Sequence, residues 1–455
     1  MPSPPVAGPP GLVARLIGAE RDEVGAALAG AGYGFCMMAA YYMLRPVRDA
    51  MGIAGGVENL KYLFLLSFGA TLLVVPLYGW ACTHVSRSRF VPWVSLVMVL
   101  LVAGFYAVFR ETGDEPPAWV AQAFFVWVGV FNLFVLSVYW SFMADLLSPA
   151  QARRLFGFLA AGGSAGAVAG PATTALLAET FGIDSLLLCA GLLLLATVAL
   201  VRYLLHWERV SPASPHRPLS GPMQTDEPMG GNPLAGISLL AGSRYLLGIA
   251  LFVLLFTAVG TFMYMEQAGL LRDTLATSAE RTRVLAAVDL TVNALCIPFQ
   301  LFVTGRLVAR FGLTAILLAV PVFMIGGFVA LIAAPGLPVL IAVQILRRAG
   351  DYAITRPARE LLFTALPKES RYKAKNVIDT VIYRGGDAAN AWLYALLASA
   401  GLGLAGTAAA GVVISAVWAG VAWRLGNGFS RVVEAPGRDA PPGRGLPAQD
   451  HDEPV

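Results

Sequence analysis

Charged residues are scarce in this chain of 455 residues. Aspartate, glutamate, lysine and arginine make up 13% of it and hydrophobic residues 57%, whereas soluble domains carry about a quarter charged residues. The mean hydropathy is +0.69. This composition excludes a soluble globule and predicts an all-α polytopic membrane protein. The arginines are scattered, without the basic tracts and interleaved aromatics that bind nucleic acid, so we expect no nucleic-acid partner.

Metal-binding and hydrolytic motifs are missing as well. Cys36, Cys82, Cys189 and Cys296 each stand alone in an apolar stretch, and the histidines show no ligand spacing, so we expect neither a disulfide framework nor a metal site. The dipeptide Gly-Lys never occurs, which excludes a Walker-type phosphate loop, and no nucleophile elbow or haem motif is present. We therefore expect no cofactor and no enzymatic activity.

Long apolar runs, in contrast, are abundant. A helix that spans a bilayer needs about 20 mostly apolar residues, and about twelve such runs are present. They lie near residues 24–44, 60–82, 90–109, 118–143, 156–178, 184–206, 244–270, 284–304, 311–334, 337–364, 376–400 and 402–424. The expected organisation is an N-terminal tail (1–23), a first six-helix half (24–206), a polar linker (207–243), a second six-helix half (244–424) and a disordered tail (425–455).

The distribution of lysine and arginine predicts the orientation. With the N-terminus in the cytoplasm, the inside loops hold most of the basic residues, for example Arg153, Arg154 and the basic segment 368–375. Positive loops resist translocation. We therefore expect both tails and the linker to be cytoplasmic, and the protein to be a monomer in a bacterial-type inner membrane.

One loop suggests a superfamily. The segment "GRLVARFGL", residues 305–313, resembles the loop signature of the major facilitator superfamily, although Ala309 stands where an acidic residue is expected. Twelve spans in two halves with both termini inside fit the same superfamily, whose halves are parallel repeats. Gly162, Gly166 and Gly170 recur at four-residue spacing, which favours close helix packing.

Polar residues form stripes on the tenth and eleventh predicted spans. Helical periodicity places Arg348, Asp351, Tyr352, Thr355 and Arg359 on one face, with Arg356 and Glu360 at its border, and Thr380, Tyr383, Arg384, Asp387 and Asn390 on another. Each charge at membrane depth costs about 2.5–3.5 kcal/mol unless it faces a wet cavity or a partner. The stripes predict either one polar cavity or structural ion pairs between the helices. The surplus of arginine favours a phosphate or carboxylate ligand.

Asp289 is a lone acidic residue on the eighth predicted span. A buried carboxylate can serve proton coupling. It can equally pair with an arginine of a neighbouring helix. Both alternatives stay open at the level of the sequence.

Three segments resemble the ATP:ADP antiporter family, the nucleotide transporters of plastids and obligate intracellular bacteria. They are "LRPVRDAMG" (44–52), "RPARELLFTALP" (356–367) and "YKAKNVID" (372–379). Arg48 replaces a family lysine, Arg356 stands where aspartate is expected, and Asn132 lies in a region where these exchangers carry glutamate. The resemblance implies a major-facilitator-like fold and exchange of nucleoside triphosphate for diphosphate.

The expected function is therefore secondary transport of an anionic, phosphorylated metabolite by alternating access. The expected substrate-binding residues are Arg45, Arg48, Asp49, Arg348, Asp351, Tyr352, Arg356, Arg359, Glu360, Lys373, Lys375, Asp379, Tyr383, Arg384 and Asp387. Two alternatives are proton-coupled transport of another organic anion through Asp289, and a transporter-like membrane sensor or scaffold.

Overall fold

The chain folds as a bundle of long α-helices. The computed structural model describes residues 19–113, 116–211, 235–300, 304–366 and 368–434, and no strand occurs in these ranges. The helices are α1 (Val24–Ala54), α2 (Leu60–His84), α3 (Arg87–Thr112), α4 (Ala118–Leu146), α5 (Pro149–Val210), α6 (Ala235–Gly242), α7 (Arg244–Thr274), α8 (Ser278–Pro298), α9 (Thr304–Ala333), α10 (Leu337–Gly350), α11 (Arg356–Thr364), α12 (Lys368–Val377), α13 (Tyr383–Ser399) and α14 (Leu404–Glu434). Two π-helical turns, Asp351–Thr355 and Ile378–Ile382, join α10 to α11 and α12 to α13.

The helices reproduce the predicted membrane spans. Across the described ranges, eight helices are long and apolar enough to cross a membrane. One of them, α5, has 62 residues and breaks at Gly182, whose φ of 77° is left-handed, so it holds the fifth and sixth predicted spans. The eighth predicted span is α8, the tenth is α10 with α11, and the eleventh is α12 with α13. These three spans contain charged residues or π turns. The prediction of an all-α protein with twelve spans is confirmed.

Large apolar side chains cover the outside of the bundle. Leu73, Trp119 and Leu176 are 67%, 70% and 75% exposed. A soluble monomer rarely exposes a large contiguous apolar surface. Lipid tails cover such a surface in a membrane, and helices satisfy their own backbone hydrogen bonds there. The exterior is therefore that of a multi-pass membrane protein.

Helix α1 is longer than predicted. The sequence predicts an end near residue 44, whereas the helix continues to Ala54 through Pro46. The additional turns bury apolar side chains such as Val47, which is fully buried, and tertiary burial of this kind supplies most helical stability. Arg45 and Arg48 therefore lie within the bundle and do not cap the end of a helix.

The predicted linker and tail also differ in part from the structure. Helix α14 continues beyond residue 424 to Glu434, because Leu425 packs into the core of the second half. Within the predicted linker, α6 forms because Leu240 packs into the same core. Linker residues 212–234 and tail residues 435–455 lie outside the described residues, so the domain limits stay a prediction.

Each half has an apolar core of its own. One cluster is built from residues 19–207 and a second from residues 240–425. A third cluster joins the halves where α1 finishes, and it includes Ile53 and Leu271. We call this the distal end of the bundle, and the opposite end, where α1 begins, the proximal end. The two halves thus make apolar contact at the distal end.

A row of glycines allows α5 to pack directly on α1. A Cβ atom at Gly162, Gly166 or Gly170 would lie 2.3–2.5 Å from a backbone oxygen of α1. Backbones can approach this closely only where a side chain is absent. The contact fixes α1, with its two arginines, against the rest of the first half.

Replacing Gly166 by alanine should separate these helices. The added Cβ would lie 2.3 Å from the Phe35 carbonyl oxygen, and overpacking of this kind costs about 1–3 kcal/mol. The measurement is the thermal unfolding of the purified protein in detergent. Gly157→Ala is the control, since a Cβ there meets nothing within 4 Å and alanine favours the helix. Equal stability of the two variants would contradict the proposed contact.

Candidate functional site

A polar cavity lies at the centre of the bundle, between the two halves. Its volume is about 200 Å³, and its walls come from α1, α2 and α4 of the first half and from α7, α8, α10, α11 and α13 of the second. Phe64, Phe125 and Leu285 belong both to these walls and to the distal apolar cluster. The cavity is therefore bounded on its distal side by apolar contacts between the halves.

Most of the site residues predicted from the sequence line this cavity. They are Arg45, Arg48, Asp49, Asp289, Arg348, Asp351, Tyr352, Arg356, Tyr383, Arg384 and Asp387. Helices that are far apart in the chain contribute them, so the fold brings together stripes that the sequence shows separately.

Asp289 is held between two arginines from different halves. The Arg348 Nη1 atom lies 2.6 Å from Asp289 Oδ1, and the Arg45 Nη1 atom lies 3.7 Å from the same oxygen. Only 3% of Asp289 is exposed. A buried carboxylate with two guanidinium partners is a structural ion cluster, so these contacts favour arginine pairing over proton coupling.

Asp49 connects the two halves through a single oxygen. Arg48 donates to Asp49 Oδ1 from Nε at 2.9 Å and from Nη2 at 2.6 Å, and the Tyr264 hydroxyl of α7 donates to the same oxygen at 3.1 Å. The Arg48 guanidinium also lies 5.2 Å from the centroid of the Phe125 ring, a favourable cation–π distance. Groups from both halves therefore orient Arg48 at the cavity.

The π turn between α10 and α11 places another charged pair. Arg356 Nε lies 3.3 Å from Asp351 Oδ2, and its guanidinium lies 4.4 Å from the centroid of the Tyr352 ring. A π turn closes its hydrogen bonds over five residues, and such turns are frequent at functional sites. Pro357 follows directly; having no N–H, it leaves no unsatisfied donor in the disturbed backbone.

Seven polar residues of the cavity wall were not predicted from the sequence: Ser67, Thr257, Thr261, Tyr264, Gln267, Gln344 and Arg347. The last three form a chain of hydrogen bonds. Arg347 Nε donates to Gln344 Oε1 at 2.9 Å, and Gln344 Nε2 donates to Gln267 Oε1 of α7 at 2.7 Å. The available signal is the spacing of Gln344, Arg347 and Asp351 along one helix face. Arg347 is the sixth arginine in the cavity wall, and the hydrogen bonds connect it through Gln344 to Gln267 of α7.

Positive charge exceeds negative charge in the cavity. Six arginines face four aspartates: Arg45, Arg48, Arg347, Arg348, Arg356 and Arg384 against Asp49, Asp289, Asp351 and Asp387. Two buried atoms here, Arg348 Nη2 and Asp351 Oδ1, have no hydrogen-bond partner among the described residues. An unsatisfied buried polar atom is costly. The formal surplus of two positive charges suits an anion.

The other predicted residues lie outside the cavity, where α11 meets α12. Arg359 Nη2 lies 3.2 Å from Asp379 Oδ1 and 3.7 Å from Glu360 Oε1, and Glu360 also pairs with Lys375. Lys373 lies on the same helix as Lys375. Arg359, Glu360, Lys375 and Asp379 form structural ion pairs between helices, which was one of the two alternatives left open by the sequence. The structure therefore does not bring Arg359 to the same site as Arg48.

Comparison with known proteins identifies the family. Residues 24–386 match the model of the Major Facilitator Superfamily. The chain belongs to this superfamily. Among curated proteins, none matches the sequence.

Solved major facilitator structures have the same fold. A D-xylose–proton symporter aligns with a TM-score of 0.60 and 12% identity over 88% of this chain and 97% of its own. The nucleoside transporter NupG aligns at 0.56 and 12% over 91% and 100%. A bacterial homologue of the iron transporter ferroportin, in the inward-facing state, aligns at 0.57 and 16% over 91% and 99%. At these identities the likeness shows the fold alone.

As a major facilitator protein, the chain is a multi-pass membrane transporter of a small substrate. Transporters built from two repeats bind their substrate at the interface of the repeats. The arginine-lined cavity occupies that position.

Proposed function

We propose that this transporter exchanges phosphorylated organic anions by alternating access, with the cavity arginines binding the phosphate oxygens. The surplus of two positive charges in the cavity is the observation that carries the proposal. Guanidinium groups donate paired hydrogen bonds to two oxygens of one phosphate. Arg45 and Arg48 belong to the first half and the other four arginines to the second, so a bound anion would bridge the halves.

A second chamber beside the cavity supports an organic anion rather than inorganic phosphate. It has a volume of about 340 Å³, and Met38, Tyr42 and Trp140 form part of its wall. Tyr352 and Arg356 line both spaces. A ligand whose phosphates contact the arginines would place a ring or apolar body against these side chains.

The resemblance to the ATP:ADP antiporter family makes ATP and ADP the first candidates. Arg45, Arg48 and Asp49 of the first resembling segment line the cavity. In the third segment, Lys375 and Asp379 are engaged in ion pairs away from it. The placement of the first segment supports anion binding, and nucleotide exchange is the specific form of the proposal.

Alternating access requires the halves to separate at the distal end. The apolar cluster there is accompanied by an ion pair, Arg272 Nη1 to Glu58 Oε2 at 3.1 Å, and by edge-to-face contact of the Tyr62 and Trp392 rings. Exposed ion pairs contribute about 0–1 kcal/mol. The distal contacts therefore include components weak enough to break in a transport cycle.

We place the proximal end in the cytoplasm, with both tails and the linker, and the protein as a monomer in a bacterial-type inner membrane. Arg89, Arg153, Arg154 and Arg209 lie at helix ends on this side, as the positive-inside rule requires. A protease added to right-side-out vesicles should leave a C-terminal tag intact.

Counterflow in proteoliposomes tests the nucleotide proposal. Vesicles loaded with ADP should accumulate radiolabelled ATP, and vesicles without internal nucleotide should not. Phosphorylated sugars and dicarboxylates serve as competitors. Absence of exchange for every nucleotide and organic phosphate would overturn the proposal.

Replacing Ala160 by phenylalanine tests the second chamber. Ala160 lines this chamber, so the ring would occupy the space proposed for the organic body. Because aromatic stacking on a base contributes about 1–3 kcal/mol, affinity for ATP should fall about fivefold to 150-fold. Competition by tripolyphosphate, which has no organic body, should be unchanged. Both are measured as competition against labelled substrate.

Ala161→Phe is the matched control, since Ala161 is exposed and does not line the chamber. Its affinity for ATP should equal that of the wild type. An Ala160→Phe protein with unchanged ATP affinity, or with equal losses for ATP and tripolyphosphate, would exclude the chamber as the site of the organic body.

A further inference from the structure

A basic groove lies on the outside of the first half, apart from the central cavity. Its two walls are the start of α3 and the last turns of α5, and its volume is about 500 Å³. Its basic residues are Arg89, Arg202, His206 and Arg209, and its apolar walls include Trp93, Leu96, Val198 and Leu205. Trp207 Nε1 donates to the Asp22 carbonyl oxygen at 2.9 Å, so this end of α5 lies beside the start of α1. The groove is therefore at the proximal end.

The arginines of the groove are available to a ligand. Arg89, Arg202 and Arg209 are exposed, and none of them forms a hydrogen bond or ion pair with another residue in the described part of the chain. Arg202, His206 and Arg209 follow one helix face at spacings of four and three residues. Three guanidinium groups thus line one groove without a carboxylate partner among the residues that the structure describes.

The groove changes from basic to apolar with depth. On α5, Arg209 lies in the last turn and Val198 eleven residues earlier, about 16 Å deeper along the helix. On α3, Arg89 lies in the first turn and Leu96 two turns deeper. Trp93, 69% exposed, occupies the level between them, where tryptophan is enriched in membrane proteins. A soluble anion would need the guanidiniums but not the apolar floor.

We propose that this groove binds the headgroup of an anionic phospholipid, with the phosphate on Arg89, Arg202 and Arg209 and the acyl chains against Leu96, Val198 and Leu205. Charge complementarity and the polarity gradient both fit this ligand. Basic pockets between transmembrane helices are suited to such headgroups. The proposal is independent of the transported substrate.

Titration of the purified full-length protein with cardiolipin, followed by native mass spectrometry, tests the groove. Arg202→Gln/Arg209→Gln should bind cardiolipin roughly thirtyfold more weakly than wild type. Arg244→Gln/Arg310→Gln is the matched control, because both arginines are exposed at the same end and outside the groove. Arg202→Lys/Arg209→Lys should retain most of the binding.

Three outcomes would overturn the proposal. They are unchanged cardiolipin binding by the groove variant, equally tight binding of phosphatidylcholine, and displacement of cardiolipin by millimolar inorganic phosphate. Unfolding temperatures in phosphatidylcholine, expected to be equal for all variants, separate loss of lipid binding from loss of fold.

Discussion

Arg48→Gln will abolish exchange and leave the protein folded. Arg48 is oriented at the cavity by Asp49 and Phe125, and glutamine supplies neither the charge nor the paired donors that a phosphate group needs. Removing one member of a desolvated, hydrogen-bonded charge pair costs about 2–5 kcal/mol, which is about 30-fold or more in affinity. The Asp49 carboxylate keeps its hydrogen bond from Tyr264, so the fold should survive, although the unfolding temperature should fall because a buried ion pair loses one partner. Counterflow and thermal unfolding measure the two effects.

Arg359→Gln is the informative comparison. Like Arg48→Gln, it removes one arginine from a segment that resembles the antiporter family. Arg359, however, pairs with Asp379 and Glu360 outside the cavity. Substrate affinity should therefore change little. If both variants lose binding equally, the antiporter resemblance identifies the substrate contacts better than the cavity does. If only Arg359→Gln loses binding, the cavity is not the substrate site.

Asp289→Asn will destabilise the empty protein. The substitution leaves Arg45 and Arg348 without their shared counter-ion, and breaking a buried ion pair costs about 3–5 kcal/mol. The unfolding temperature in detergent should drop. Asp289→Asn/Arg348→Gln should recover part of the loss, because fewer unpaired buried charges remain. A single variant as stable as the wild type would show that this ion cluster does not stabilise the fold.

An added anion separates this ion-cluster role from proton coupling. Millimolar phosphate or nucleotide should raise the unfolding temperature of Asp289→Asn more than that of the wild type, since two guanidiniums are then free to bind it. Exchange by the wild type should be indifferent to a proton gradient. Gradient-driven uptake that disappears in Asp289→Asn would instead establish coupling at Asp289.

Apolar run length was sufficient to predict the fold, because membrane crossing depends on length and hydropathy. Apolar run length predicted the end of α1 poorly, since the helix continues from residue 44 to Ala54. Arg45, Arg48 and Asp49 interrupt the apolar run near residue 44, but in the folded protein Asp289 and Tyr264, more than 200 residues away in the chain, contact these side chains. A rule that reads charges as the end of a helix cannot include such distant partners.

The π turn explains why helical periodicity misplaced Arg359. A regular α-helix puts Arg348, Tyr352, Thr355 and Arg359 on one face. The turn Asp351–Thr355 takes up an additional residue, so the cavity face continues at Arg356. Each residue corresponds to about 100° of helix rotation, which is enough to direct Arg359 towards Asp379.

The hydrogen bond from Tyr264 to Asp49 affects turnover of the transporter when no substrate is bound. Asp49 Oδ1 is shared by Arg48, a proposed substrate ligand, and by Tyr264 of the opposite half. Anion binding to Arg48 and separation of the distal contacts are therefore thermodynamically linked, and the linkage is reciprocal. An empty carrier that turns over must lose the hydrogen bond from Tyr264 to Asp49, which belong to opposite halves, with no bound anion to offset that loss. This cost opposes turnover without substrate, in keeping with the proposed exchange.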